Sequence, residues 1–153
     1  MAVLELTDLP RGAPLFGLDL GEKTIGVAAS DGLWMIASPV ETIAKTKFTD
    51  DANHLFKLMK DRGAEGLVIG LPVNMDGSEG PRAQSSRAFA RNVLRLRDLP
   101  IAFWDERLSS AAVNRMMIDE MDLTRARRGQ IVDKLAAAYI LQGALDRLRA
   151  PAS

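Results

Sequence analysis

Residues 66–70, Gly-Leu-Val-Ile-Gly, are apolar without a break. A run this short and this apolar reads as a strand buried on both faces, which calls for helices on both sides of a sheet. The flanking sequence supplies them. Upstream, Thr49 or Asp50 can cap a helix whose Ala52, Leu55, Leu58 and Met59 share one face, and Gly63 stops it. Downstream, a second helix is expected from about Ala83 to Arg97, with Phe89, Val93 and Leu96 turned inward, followed by another buried strand over Ile101–Trp104. Before all of these come strand-like runs at Leu15–Asp19, Thr24–Ser30 and Val40–Ile43. Gly21-Glu22-Lys23 turns the first into the second, Asp31-Gly32 is a hairpin signal, and Leu33–Ala37 can continue the pairing. Ser109 can cap a third helix through Met121, residues 122–130 read as a polar basic loop, and a last helix runs from about Ile131 to Leu148. The order β-β-β-α-β-α-β-α-α predicts an α/β fold with one five-stranded mixed sheet, three antiparallel strands then two parallel, flanked by helices. Residues 1–13 read as an irregular leader and 14–150 as a single domain, in keeping with a 153-residue chain.

Composition removes several classes of chemistry. The chain has no cysteine and a single histidine, His54, so disulfide frameworks, thiolate chemistry and multi-histidine zinc sites are out. His54 lies early in the first helix and reads as surface or as satisfied structure. No apolar run approaches the ~18 residues of a membrane span, and the first residues are acidic where a signal peptide would be basic. A cytoplasmic protein is expected. The net charge of zero hides an asymmetry: residues 1–80 hold 7 Lys+Arg and 12 Asp+Glu, residues 81–153 hold 13 and 8. Twelve of those late cations are arginine, which favours planar partners such as phosphate. Polyanion binding would have to be local, because a global basic footprint is absent. Aromatic residues make up 5%, which does not favour a stacking platform for single strands.

Three carboxylates stand where ligands bind in such sheets, beyond the carboxyl ends of strands. Asp19 ends the first strand, Glu106 follows the last, and Asp133 falls in the first turn of the last helix. Each has a bland reading: a turn cap for Asp19, a solvated ion pair beside Arg107 for Glu106, a favourable helix dipole for Asp133. Converging, they would suit hard cations, Mg2+ or Mn2+, which clamp the oxygens of a phosphodiester displacement. The loop over residues 71–81 is long for a strand-to-helix connection and carries Asn74, Asp76, Gly77, Ser78, Glu79 and Gly80, able to cradle a phosphate or cover a substrate. On the second helix Arg87, Arg91 and Arg95 form a stripe, with Arg82 at its start; Arg125, Arg127 and Arg128 precede Asp133. Such residues either track a phosphate backbone or form an ordinary solvated face.

Four segments carry a resemblance. LDLGEKTIGVAASD (18–31), GLVIGLPVNMDGSEGPRA (66–83), WDERLSSAAVNRM (104–116) and VDKLAAAYILQGALD (132–146) resemble, in order, the YqgF/RuvX family of RuvC-like pre-16S ribosomal RNA nucleases. The resemblance implies a ribonuclease-H-like fold and a metal-dependent nuclease that trims the 5′ end of precursor 16S rRNA. It implies that Asp19, Glu106 and Asp133 hold Mg2+ or Mn2+, with a water as nucleophile. Nucleic-acid contacts are expected from Lys23, Asn74, Arg82, Arg87, Arg91, Arg107, Arg125 and Arg128. Two positions depart from the pattern. Thr24 stands where the family often has arginine, and the strand ending Ile69-Gly70-Leu71 lacks the acid that related resolvases carry there.

Three further readings share these residues. A branched-DNA resolvase would keep the chemistry and require a two-fold dimer, whereas a nuclease acting on RNA could be monomer or homodimer. A non-catalytic RNA-binding assembly factor would use the same fold without cutting. Asp19-Leu20-Gly21 also resembles the phosphate loops of sugar kinases and actin-like ATPases, but those need two such domains around a cleft, and this chain has room for one.

Overall fold

The computed structural model describes residues 3–108 and 125–149. Five strands form one sheet: β1 Leu15–Leu20, β2 Thr24–Ser30, β3 Ala37–Ala44, β4 Gly66–Leu71 and β5 Ile101–Asp105. Their order is β3-β2-β1-β4-β5, with β1 antiparallel to β2, β2 to β3, and β4 parallel to both β1 and β5. Helices α1 (Phe48–Arg62) and α2 (Pro81–Leu96) pack on one face, and α3 (Arg125–Arg149) packs on the other. β4 is buried along its whole length, as its unbroken apolar sequence demands.

The two faces have different cores. Phe16, Leu18, Ile25, Val27, Leu67 and Ile69 meet Leu55 and Met59 of α1 and Ala90 and Val93 of α2. Leu15, Ala28 and Val68 on the other face meet Ala137, Ile140, Leu141 and Leu145 of α3. Strand alternation sorts each side chain to its face.

Several boundaries differ from the sequence reading, each for a local reason. Leu33–Ile36 do not extend the pairing: the Asp31 carboxylate accepts hydrogen bonds from the amides of Leu33, Met35 and Ile36, closing a wider turn, and β3 begins at Ala37. Those backbone bonds, led by Ile36, hold the Asp31 carboxyl below its ordinary range. Helix α1 starts at Phe48, ahead of Thr49 and Asp50, because buried Asp51 reaches back to the amide and hydroxyl of Thr46. Gly63 ends it in the left-handed conformation, as expected. Leu96 is 47% exposed, because Ala83, Ser86, Ala90 and Val93 form the inner face of α2 instead. The leader carries more order than its composition suggests: Leu6–Asp8 make a 3-10 turn, the Leu4 amide donates to Ile101 at 2.8 Å, and Leu9 is buried. His54 stands on the surface with its Nε2 2.5 Å from Glu41.

The expected loop over 122–130 is helix from Arg125 onward, since arginine and alanine favour helix and Gly129 costs only about 1 kcal/mol. Residues 122–124 and the expected helix over 109–121 lie outside the described residues. Asp133 therefore sits two turns into α3, beyond the reach of the helix dipole.

One contact makes a direct prediction. A Cβ on Gly26 would lie 2.0 Å from the Asp133 carbonyl oxygen, whereas one on Gly32 would meet nothing within 4 Å. Gly26→Ala is expected to lose about 1–3 kcal/mol in denaturant unfolding through overpacking against backbone, and Gly32→Ala to stay near wild type.

Candidate active site

Asp19 lies one residue before the end of β1 and is 4% exposed. Its partner across β2 is Gly26, and it stands one residue beyond the Leu18↔Ile69 pair, level with Gly70 of β4. Residues level with one another across strands project to the same face, so Asp19 is flanked by two positions without side chains. Both openings are filled from elsewhere. At Gly26 the backbone of Asp133 comes down onto β2. At Gly70 a Cβ would lie 3.2 Å from Glu106 Cγ, 3.3 Å from its Cδ and 2.6 Å from Ile140 Cδ1. The strand end that lacks an acid of its own is thus covered by the glutamate from beyond the next strand. The fold brings Asp19, Glu106 and Asp133 to one end of one sheet face, with an acid over each strand that flanks β1.

Asp133 is half-buried, and the Thr24 hydroxyl donates to its Oδ2 at 2.5 Å. Thr24 opens β2, where the turn from β1 closes through the Gly21 amide and the Thr24 carbonyl at 2.9 Å. Sequence reasoning noted Thr24 only as a departure and missed this pairing. It also missed Gly26 and Gly70, although glycine inside a strand is a signal of close approach.

The three acids offer carboxylate oxygen and nothing softer, the donor set of Mg2+ or Mn2+. Among the described residues, no three His, Cys, Asp or Glu side chains are grouped closely enough to hold a metal ion. The Asp133 carboxylate is engaged by the Thr24 hydroxyl. The donor chemistry of the three carboxylates, rather than their spacing, suits such an ion.

The loop after β4 is built, not slack. Val73 and Glu79 form an antiparallel bridge, the Asn74 amide donates to Ser78 O at 2.9 Å, and Gly77 takes a φ of 90°. Asp76 caps Ser78 through amide and hydroxyl, which holds its carboxyl below the ordinary range. Arg107 pairs with Asp105 at 2.7 Å and reaches the Asn74 carbonyl at 3.4 Å, tying the loop to the Glu106 turn.

The expected nucleic-acid contacts divide. Lys23, Asn74, Arg82 and Arg107 stand at the strand ends near Asp19, and all four are exposed. Arg87 does not present a free guanidinium, because it grips Glu79 at 2.5 and 2.7 Å and stacks 5.1 Å over Phe103. Arg91 is exposed but lies about 14 Å down the axis of α2 from Arg82 at the helical rise. The stripe therefore runs away from the acids, on the other face. Arg125 and Arg128 lie in the first turns of α3, Arg125 about 12 Å along the axis before Asp133.

A five-stranded 3-2-1-4-5 sheet with an acid at the end of its central strand is the ribonuclease-H-like fold. Two solved structures share it: Thermus thermophilus RuvC with a Holliday junction substrate, at 12% identity and a TM-score of 0.53 over 89% of this chain and 96% of that one, and yeast mitochondrial Ydc2, at 11% and 0.50 over 94% and 84%. The family model described as "RuvX: Holliday junction resolvase" matches residues 13–147, and the chain belongs to that family. Proteins named "Putative pre-16S rRNA nuclease" are similar along nearly their whole length. That of Phenylobacterium zucineum is 71% identical over 97% of this chain and 99% of its own. That of Caulobacter vibrioides is 62% identical over the same shares.

Two outcomes follow. Thr24→Val should lower nuclease activity about 10–100-fold, with an unchanged thermal midpoint. The Glu79 carboxyl is held below its ordinary 4.5, first by hydrogen bonding to Arg87. Its contribution is therefore complete above pH 4.5 and is lost as pH falls through the lower folded value. Protease nicking of the 72–80 loop by an acid protease should rise in that window, and Glu79→Gln should nick readily at every pH.

Proposed function

We propose that this chain is a metal-dependent phosphodiester nuclease that trims the 5′ end of precursor 16S rRNA in the cytoplasm, working as one domain over residues 14–150. The observation that carries the reading is buried Asp19 set between two glycines, with Asp133 over one and Glu106 over the other. The names of the similar proteins point the same way for the substrate. No helix among the described residues is long and apolar enough to cross a membrane.

Asp19, Glu106 and Asp133 would hold Mg2+ or Mn2+. When bound, the ion supplies water activation and charge neutralisation for displacement at phosphorus. The protein's own part is positioning. Gly26 and Thr24 fix Asp133, while Gly70 makes room for Glu106. Lys23, Arg82, Arg107, Arg125 and Arg128 supply positive charge for the phosphate backbone, and Asn74 adds a polar contact from the loop.

Cleavage of a structured RNA bearing the 16S 5′ leader, run beside a four-way DNA junction with Mg2+, Mn2+ or chelator, tests this. Metal-dependent cutting of the RNA is expected. Asp19→Asn, Glu106→Gln and Asp133→Asn should each lower it by at least about a hundredfold while the protein stays folded. Cutting confined to the junction would move the assignment to a DNA resolvase. RNA binding without cutting by either wild type or variants would make the chain an assembly factor.

A further inference from the structure

On the α1/α2 face, directly behind the end of β1, lies a pocket of about 410 Å3. Leu20 and Gly21, the two residues after Asp19, form its wall. Phe48 and Phe89 line it edge to face, centroids 5.5 Å apart at 81°. Lys45 and Arg82 stand in its lining against one acid, Glu22. Both cations are exposed, and neither has an ion-pair partner among the described residues. The Lys45 ammonium donates to the Gly21 carbonyl.

We propose that this pocket receives one unpaired nucleotide of a bound nucleic-acid strand, an inference that rests on the nuclease reading. The volume falls in the range of small-molecule sites, about 300–1,000 Å3. The phenylalanine pair offers the apolar surface on which a splayed base stacks, a contact that tolerates any base. Lys45 and Arg82 match the phosphate, and Ser85 and Asn92 add hydrogen-bonding groups for a base edge or ribose. A duplex cannot enter, because its bases stay stacked. A cavity of about 450 Å3 at the other end of the sheet has no aromatic lining residue, and the largest, about 610 Å3, sets Phe103 and Trp104 beside Glu5 and Asp105 and an Arg87 already held by Glu79, so neither offers the same chemistry. A nucleotide seated against Leu20 and Gly21 lies at the end of the strand that carries Asp19. The pocket would thus select substrates that present an unpaired residue at the rim where the strand carrying Asp19 ends.

The test is fluorescence anisotropy on the full chain with chelator present, using a labelled 12-nucleotide RNA, its blunt duplex, and a DNA strand of the same sequence. Ser85→Glu places a carboxylate in the pocket, Lys45→Ala removes a cation, and Lys60→Ala in the distant cavity is the control. Ser85→Glu and Lys45→Ala should weaken single-strand binding at least about fivefold, within the range of one lost stacked base, and duplex binding less than twofold. Their thermal midpoints should match wild type. Single-strand and duplex affinities falling by one common factor, no fall at all, or an equal fall in Lys60→Ala would each overturn the pocket. A DNA strand bound like the RNA assigns recognition to base and phosphate; RNA bound better adds the ribose hydroxyl, and both support the pocket. Cleavage of the leader RNA by wild type is read in parallel with Mg2+. Its absence removes the nuclease reading, while the binding arm still decides the pocket.

Discussion

The contact between α3 and Gly26 is the constraint on which the site depends. The backbone of Asp133 occupies the space a side chain on β2 would take. The helix can lie this close because the residues it turns inward next, Ala136 and Ala137, are small and buried. A carboxylate delivered by helix backbone resting on strand backbone has little freedom, and Thr24 fixes what remains. Sites carried on packed helices and strands hold their geometry better than sites carried on loops. Asp19 and Asp133 are of that kind. Glu106 belongs to a short 3-10 turn and gains its place because Gly70 leaves it room.

Most elements were legible in the sequence because their signals are local. The unbroken apolar run at 66–70, the glycine stop at Gly63 and the β-branched run at 24–30 act through their own neighbours. What was not legible depends on distant partners. Gly26 and Gly70 read as weak strand residues until α3 and Glu106 are seen above them. Thr24 reads as a missing arginine until Asp133 appears 2.5 Å away. The Arg87 stripe has ideal helical spacing, yet Glu79, eight residues upstream, engages its first member. Aromatic scarcity gave no hint that Phe48 and Phe89 meet, because composition says nothing about placement.

The sheet also separates the charges. The acids lie on the α3 face, and α2 with its arginines packs on the other. The two populations come closest at the rim formed by the strand ends, where Lys23, Arg82 and Arg107 stand. A chain of net charge zero therefore need not carry a broad basic surface to hold a polyanion; a strand crossing this rim meets cations on both sides of Asp19. The ion pairs near the rim act differently. Arg87–Glu79 and Arg107–Asp105 fasten the 72–80 loop and the Glu106 turn, and so shape the rim more than they charge it.

The glycine at the end of β4 links these points. A side chain at position 70 would meet Glu106 and Ile140, which would have to shift to admit it. The acid that covers Gly70 comes from the turn after β5, where Arg107 binds Asp105 and reaches the Asn74 carbonyl. Asp19 and Asp133 are carried by a packed strand and helix, and Thr24 engages the Asp133 carboxylate. The candidate site thus combines two carboxylates carried on packed elements with a third on a turn that Arg107 joins to the loop after β4.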